Sequence, residues 1–179
     1  GRALPYLEKL QREVEIVSRH LDRNQVVEQL HFGGGTPTFL SHDEMRELMA
    51  AGLNVSFGHD CVMDPWYSMG SGDMLEVGHM AVHVAQMAGI EEKTQIFNAL
   101  TVNSAKTMGL AGYGLDKGCT ADLVVLQARD PAEALRLKPA RLAVIKSGKI
   151  IASTAPRSST LNLPGRPTSV DASDYAPRL

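Results

Sequence analysis

An α/β fold follows from three features of the amino-acid sequence. Apolar residues at Leu4, Leu7, Leu10, Val14, Val17 and Leu21 recur every three to four positions, the spacing of an amphipathic helix whose Arg, Lys and Glu face water. Residues 26–32 (VVEQLHF) carry β-branched side chains and run into Gly33-Gly34-Gly35, the mark of a strand ending in a tight turn. A helix and a short buried-type strand at residues 53–57 (LNVSF) then follow, and this β-loop-α-β order favours parallel strands joined by helical crossovers.

The elements can be justified in turn. Ser41 with Glu44 is a capping box, opening a helix that runs to about Met49. After a polar loop at residues 60–72, a helix is expected from Met74 to about Met87. A second is expected from Lys93 or Thr94 to Met108, with Ile96, Leu100 and Ala105 on its apolar side. Gly109, Gly112, Gly114 and Gly118 punctuate a turn-rich passage. Residues 121–126 (ADLVVL) read as a strand, and residues 142–154 (LAVIKSGKIIAST) as a hairpin around Ser147-Gly148. Residues 156–179 are rich in Pro, Ser, Thr and charge, and are expected to stay irregular.

Bulk properties narrow the function. The 179 residues suffice for one ordinary domain or two small ones, and 44% hydrophobic with 21% charged content is that of a soluble globular protein. A net charge of −2 gives no electrostatic case for nucleic acid or an anionic membrane, and no apolar run reaches the length of a membrane span. Cys61 and Cys119 lack the spacing of a disulfide framework or a cysteine zinc site, which fits a reducing cytoplasm.

Chemistry concentrates in residues 58–67 (GHDCVMDPWY). An aspartate at the C-terminal end of a buried strand, such as Asp60, stands where parallel barrels place catalytic groups; it can ligate a divalent metal and accept a proton from metal-bound water. Trp66 is suited to enclose a planar heterocycle. On chemistry alone, a helix cap or Asx turn is the commoner role for such an aspartate. His79 and His83 lie one helical turn apart, a spacing that can bind metal, but a packed or solvated helix face is the more frequent meaning.

The stretch GLNVSFGHDCVMDPWYSMGSGDMLEVGHMAVHVAQM, continued by NALTVNSAKTMGL, GLDKGCTADLVVLQA and AVIKSGKIIAST, resembles the region around the eighth barrel strand of bacterial cytosine deaminases, of the amidohydrolase superfamily; the resemblance covers residues 52–154. It implies part of a TIM barrel at residues 51–118 and part of a small β-sandwich at 119–155. It also implies Asp60 as metal ligand and proton acceptor, and Cys61 and Trp66 as substrate contacts. The implied reaction is hydrolysis of cytosine to uracil and ammonia with Fe²⁺ or Zn²⁺. The family's His-x-His pair, its two further histidines and its proton-shuttling glutamate have no counterpart here. The His-x-Glu with Pro-Cys-x-x-Cys signature of the small zinc deaminases is missing as well.

Residues 1–50 carry a different resemblance. RALPYLEKLQREVEI and VVEQLHFGGGTPTFLSHDEMRELM are similar to oxygen-independent coproporphyrinogen III oxidases, radical S-adenosylmethionine enzymes. That resemblance maps Gly34, Gly35 and Thr36 onto an element contacting S-adenosylmethionine. Neither that cofactor nor a 4Fe-4S cluster is expected here, because no cysteine precedes Cys61. A full barrel needs eight strands and roughly 250 residues. The expectation is therefore a truncated or chimeric chain joined near residues 48–52, deaminase-like in identity, taking a small pyrimidine as partner. Uncovered barrel edges offer a route to homo-oligomers. An oxidase fragment, or a non-catalytic chain folding with a strand-donating partner, are the other readings.

Overall fold

The computed structural model describes residues 3–22, 24 and 42–171, which form a mixed α/β structure. The chain runs α1 (Ala3–Ser18), α2 (His42–Ala50), α3 (Met74–Val84), α4 (Ile90–Leu100), α5 (Val102–Thr107), β1 (Leu123–Leu126), α6 (Pro131–Leu137), β2 (Arg141–Lys146), β3 (Lys149–Ser153), β4 (Ser159–Thr160) and β5 (Ser169–Val170). Among the described residues, no helix is long and apolar enough to cross a membrane. The expected strand at 26–32, the Gly34, Gly35 and Thr36 element and the Ser41 cap lie outside the described residues.

The helical periodicity is realised in α1, whose Leu10, Val14 and Val17 nevertheless stay exposed. Helix α3 begins at Asp73, whose carboxylate accepts the Leu75 N–H at 2.8 Å. It stops before the expected Met87. Gln86 adopts φ 51°, the Met87 N–H reaches back to Val82 O at 3.0 Å, and the Gln86 N–H to His83 O at 3.2 Å. This left-handed termination turns Met87 into the core, where it is 1% exposed.

The expected second helix is two helices. Thr101 leaves helical geometry (φ −121°, ψ −95°), its hydroxyl bonding back to Phe97 O at 2.8 Å. The break frees the Ala99 carbonyl, which accepts the Ser104 hydroxyl at 2.7 Å and the Phe57 N–H at 3.1 Å.

Residues 53–57 form no ladder, and the Val55 N–H closes back on Leu53 O at 3.0 Å. A strand needs a neighbour to satisfy its backbone, and α4 and α5 supply side chains instead. The Asn103 amide donates to Val55 O at 2.9 Å, and the Asn54 amide donates to Asn103 O at 3.0 Å and to the Thr107 hydroxyl at 2.9 Å. All ladders among the described residues are antiparallel.

The core lies between α3, α4 and α6: Leu75, Met87, Ile96, Ala134 and Leu135 are buried, with Phe57 and Met49 packed against them. Gly78 lets these helices approach, since a Cβ there would sit 2.5 Å from Leu100 Cδ1 and Leu135 Cδ2. Helix α6 was not anticipated, although Asp130-Pro131-Ala132-Glu133 carries its signal. Asp130 caps the Glu133 N–H at 2.7 Å, and Pro131 occupies the first turn, where its missing N–H is harmless.

The sheet has the order β1-β2-β3, with the expected hairpin turning at Ser147-Gly148. Both turn residues have positive φ (48° and 76°), the geometry that a two-residue hairpin with matching twist requires. Asp122 fixes the turn by accepting the Ser147 N–H at 2.7 Å and pairing with Lys146, which holds its carboxyl below the usual carboxylate range. An Arg141–Asp73 ion pair ties β2 to the start of α3. The tail is more ordered than expected up to Asp171. The Gln127 amide mimics a strand, accepting the Arg157 N–H and donating to Arg157 O, both at 2.7 Å, and β4 pairs with β5 beyond it.

Candidate functional site

The loop at residues 58–72 carries every site residue assigned within the deaminase-like stretch. It follows residues 53–57 and ends one residue before the cap of α3. Asp60 sits on it in left-handed conformation (φ 62°) with its side chain exposed. For a non-glycine residue such a backbone is uncommon and is sustained only by surrounding contacts.

Those contacts come from residues to which the sequence reading gave no role. The His59 ring bonds through Nδ1 to Cys61 O at 2.9 Å and through Nε2 to the Gly72 N–H at 3.1 Å. The Gly72 N–H can only donate, so Nε2 is the acceptor and Nδ1 carries the proton. Gly70 is buried against this ring, and a Cβ there would lie 2.3 Å from Cys61 O and 2.9 Å from His59 Cε1. Asp64 closes an Asx turn by accepting the Trp66 and Tyr67 N–H groups at 2.9 and 3.0 Å; these bonds and the Cys61 thiol hold its carboxyl below the ordinary value. The Asp64-Pro65 dipeptide was the available sequence signal for that turn.

Cys61 is half-buried and free. Its thiol hydrogen-bonds to Asp64, and with desolvation and the charge of Asp60 this pushes its pKa to about 11. The group is therefore a neutral donor between two carboxylates, with a thiolate share of about one in a thousand near pH ~8. Alkylation of Cys61 by iodoacetamide, resolved by mass spectrometry, is expected to be slow at that pH and to rise about tenfold per pH unit; Asp64→Asn should speed it by roughly tenfold. Equal labelling rates in the two proteins would refute the role given to Asp64.

Trp66 is 89% exposed. A shallow hollow of about 90 Å³ lies between α2, residues 53–55 and α4–α5, lined by Met49, Leu53, Val55, Gln95, Asn98 and Asn103. Asp60, Cys61 and Trp66 do not line it.

A catalytic divalent metal needs about three protein ligands and an open position. Among the described residues, no group of three or more His, Cys, Asp or Glu could hold one. Both His59 nitrogens are committed to the loop. His79 bonds to Leu135 O at 3.1 Å and meets the His83 ring edge-on at 4.7 Å, which is the packed-face reading of that pair. The described donor set thus does not fit a metal centre unaided.

Sequence and structure comparisons set this loop in context. The Amidohydrolase family matches residues 9–152. The oxygen-independent coproporphyrinogen III oxidase of Pseudomonas aeruginosa is 39% identical over 163 residues, covering 80% of this chain and 35% of that protein. That match extends well past residue 50, and the amidohydrolase match begins before it. N-isopropylammelide isopropyl amidohydrolase of Pseudomonas sp. strain ADP is 32% identical over 106 residues, 59% of this chain and 26% of that one. The chain therefore spans about a third or less of the length of these curated relatives. Among solved structures, 5-methylcytosine deaminase from Klebsiella pneumoniae liganded with phosphonocytosine superposes with TM-score 0.60 at 34% identity, over 63% of this chain and 28% of that one. N-isopropylammelide isopropylaminohydrolase from Burkholderia multivorans gives 0.57 at 34% identity over the same shares. With more than half of its length matched, the chain belongs to the amidohydrolase family.

Proposed function

We propose that the chain carries the Asp60-bearing segment of a cytosine-deaminase-like hydrolase, a piece of a parallel α/β barrel flanked by part of a small β-sandwich. The observation that carries this reading is the shaped loop of residues 58–72, which holds Asp60 exposed with a left-handed backbone. Family membership and the likeness to a 5-methylcytosine deaminase support it. In this reading Asp60 is the metal ligand and proton acceptor, Cys61 the neutral donor facing a pyrimidine, and Trp66 a cover that comes to rest only over a bound ring. Fe²⁺ or Zn²⁺ is the ion of the complete centre, and its remaining ligands come from outside the described residues. The free cysteines support a reducing, cytoplasmic setting.

The expected outcome is that purified chain with cytosine and added Fe²⁺ or Zn²⁺ releases ammonia no faster than the metal blank. Robust turnover that disappears in Asp60→Ala would overturn the proposal that this chain lacks a self-sufficient centre.

Two observations favour other readings. The match to the P. aeruginosa oxidase supports an oxidase-derived segment, in which Gly34, Gly35 and Thr36 would contact S-adenosylmethionine. The unladdered segment at 53–57 and the exposed apolar face of α1 support a chain that is completed by a strand-donating partner or by another copy. Size-exclusion chromatography with hydrogen exchange separates that case from a self-contained monomer.

A further inference from the structure

We infer that His59 is a positioning residue that locks Asp60 in its left-handed, solvent-facing conformation. The inference rests on the proposed role of Asp60, but the lock itself is a statement about this chain's own loop. Two non-glycine residues of the loop, Asp60 and Met63, have positive φ (62° and 51°). Such backbone reverts to ordinary geometry unless neighbouring contacts over-determine it.

The His59 ring supplies that determination from the position just before Asp60. One nitrogen grips the carbonyl of Cys61, directly after Asp60, at 2.9 Å. The other accepts the N–H of Gly72, at the far end of the loop, at 3.1 Å. The two ring nitrogens therefore bridge both ends of the loop, with Asp60 enclosed inside the shorter arc. The absence of a side chain at Gly70 lets the ring and the Cys61 carbonyl close together. The backbone at Asp60 can flip only if the Cys61 carbonyl rotates off Nδ1, and that rotation opens the loop at its base. An imidazole does this well because donor and acceptor sit on one rigid plane.

The test uses nuclear magnetic resonance on the full chain. In wild type, a strong intraresidue amide–Hα NOE at Asp60 reports the positive φ, and long-range ¹⁵N spectra report which ring nitrogen carries the proton. Expected are the Nδ1-protonated tautomer and slow exchange of the Gly72 amide. In His59→Ala the Asp60 signature should vanish and Gly72 exchange should rise roughly tenfold or more, while the Ser147 and Thr154 amides of the hairpin keep their protection. His59→Gln, which retains one donor and one acceptor in a similar relation, should restore part of the Asp60 signature.

A merely structural histidine would lower protection throughout and leave Asp60 left-handed in the folded fraction. The inference is overturned if Asp60 keeps its positive φ and Gly72 its protection in His59→Ala. If that variant fails to fold, an Nε2-protonated ring in wild type overturns it equally. Ammonia release does not enter this readout, so loss of the deaminase reading and loss of the lock are separate results.

Discussion

Leu135→Ala should lower the unfolding free energy by about 2–5 kcal/mol, a larger effect than any other substitution considered among the described residues. Leu135 is 1% exposed and projects from α6 towards the gap that Gly78 leaves in α3, beside Ile96 of α4. Removing its isobutyl group opens a void bounded by three helices that are fixed at their ends. Asp73 caps α3 and pairs with Arg141, Glu92 holds the start of α4 through the Gly89 N–H at 2.8 Å, and Asp130 caps α6. Helices held in this way relax only partly into a cavity, which puts the loss in the upper part of that range. Urea denaturation followed by far-UV circular dichroism measures it. Leu163→Ala, at a position 61% exposed, is the control and should stay within about 0.5 kcal/mol of wild type. A Leu135→Ala loss as small as the control's would mean that the three helices do not form one cooperative core.

The second large effect is at Glu133, the charged side chain buried in α6 at 4% exposure. Its Oε2 accepts the Arg129 N–H at 2.8 Å, its Oε1 meets the Arg129 guanidinium at 2.9 Å, and Arg136 approaches to 3.6 Å. Glu133→Ala removes a buried carboxylate that serves these donors and should cost about 1–3 kcal/mol near neutral pH. The ion-pair share is small, because both arginines are about half exposed and can turn to water. The hydrogen bond from Arg129, with its charge, holds the Glu133 carboxyl below the usual glutamate value. A carboxylate depressed in the folded state stabilises fully above its unfolded pKa, and that stabilisation is lost as the pH falls through the folded pKa. Wild type should therefore lose stability across this acidic window more steeply than Glu133→Gln. Parallel pH profiles for the two proteins would show that the charge of Glu133 contributes nothing to folding.

Two elements follow from signals whose partners lie close along the chain. The stripe at Leu10, Val14 and Val17 gave α1, and Ser147-Gly148 between two apolar runs gave the β2–β3 hairpin. Where the partner lay far away, the reading failed. Residues 53–57 have the composition of a strand, but a strand is a pairing property, and their backbone bonds instead to Asn103 and Ala99, more than forty residues later. The break at Thr101 was hidden for the same reason, since it exists to turn the Ala99 carbonyl towards Phe57. Helix α6 was legible and overlooked: Asp-Pro-x-Glu looks like a turn until the Glu133 side chain is seen folding back on Arg129.

At the site, the resemblance singled out Asp60, Cys61 and Trp66, and all three stand on one loop. What sequence could not give was the function of His59, whose two partners are two and thirteen residues away. Nor could it give the protonation of Cys61, which depends on Asp64 folding back beneath it.

The exposure of Trp66 carries a practical consequence for any spectroscopy of this molecule. It is the chain's one tryptophan, and it stands 89% in water on a loop outside the helical core. Its emission should be red-shifted and readily quenched by acrylamide even in the native protein, and melting of the α3–α4–α6 core should barely change it. Tryptophan fluorescence is thus a poor gauge of global unfolding here, and becomes a selective one of whether anything has settled on the loop that bears Asp60.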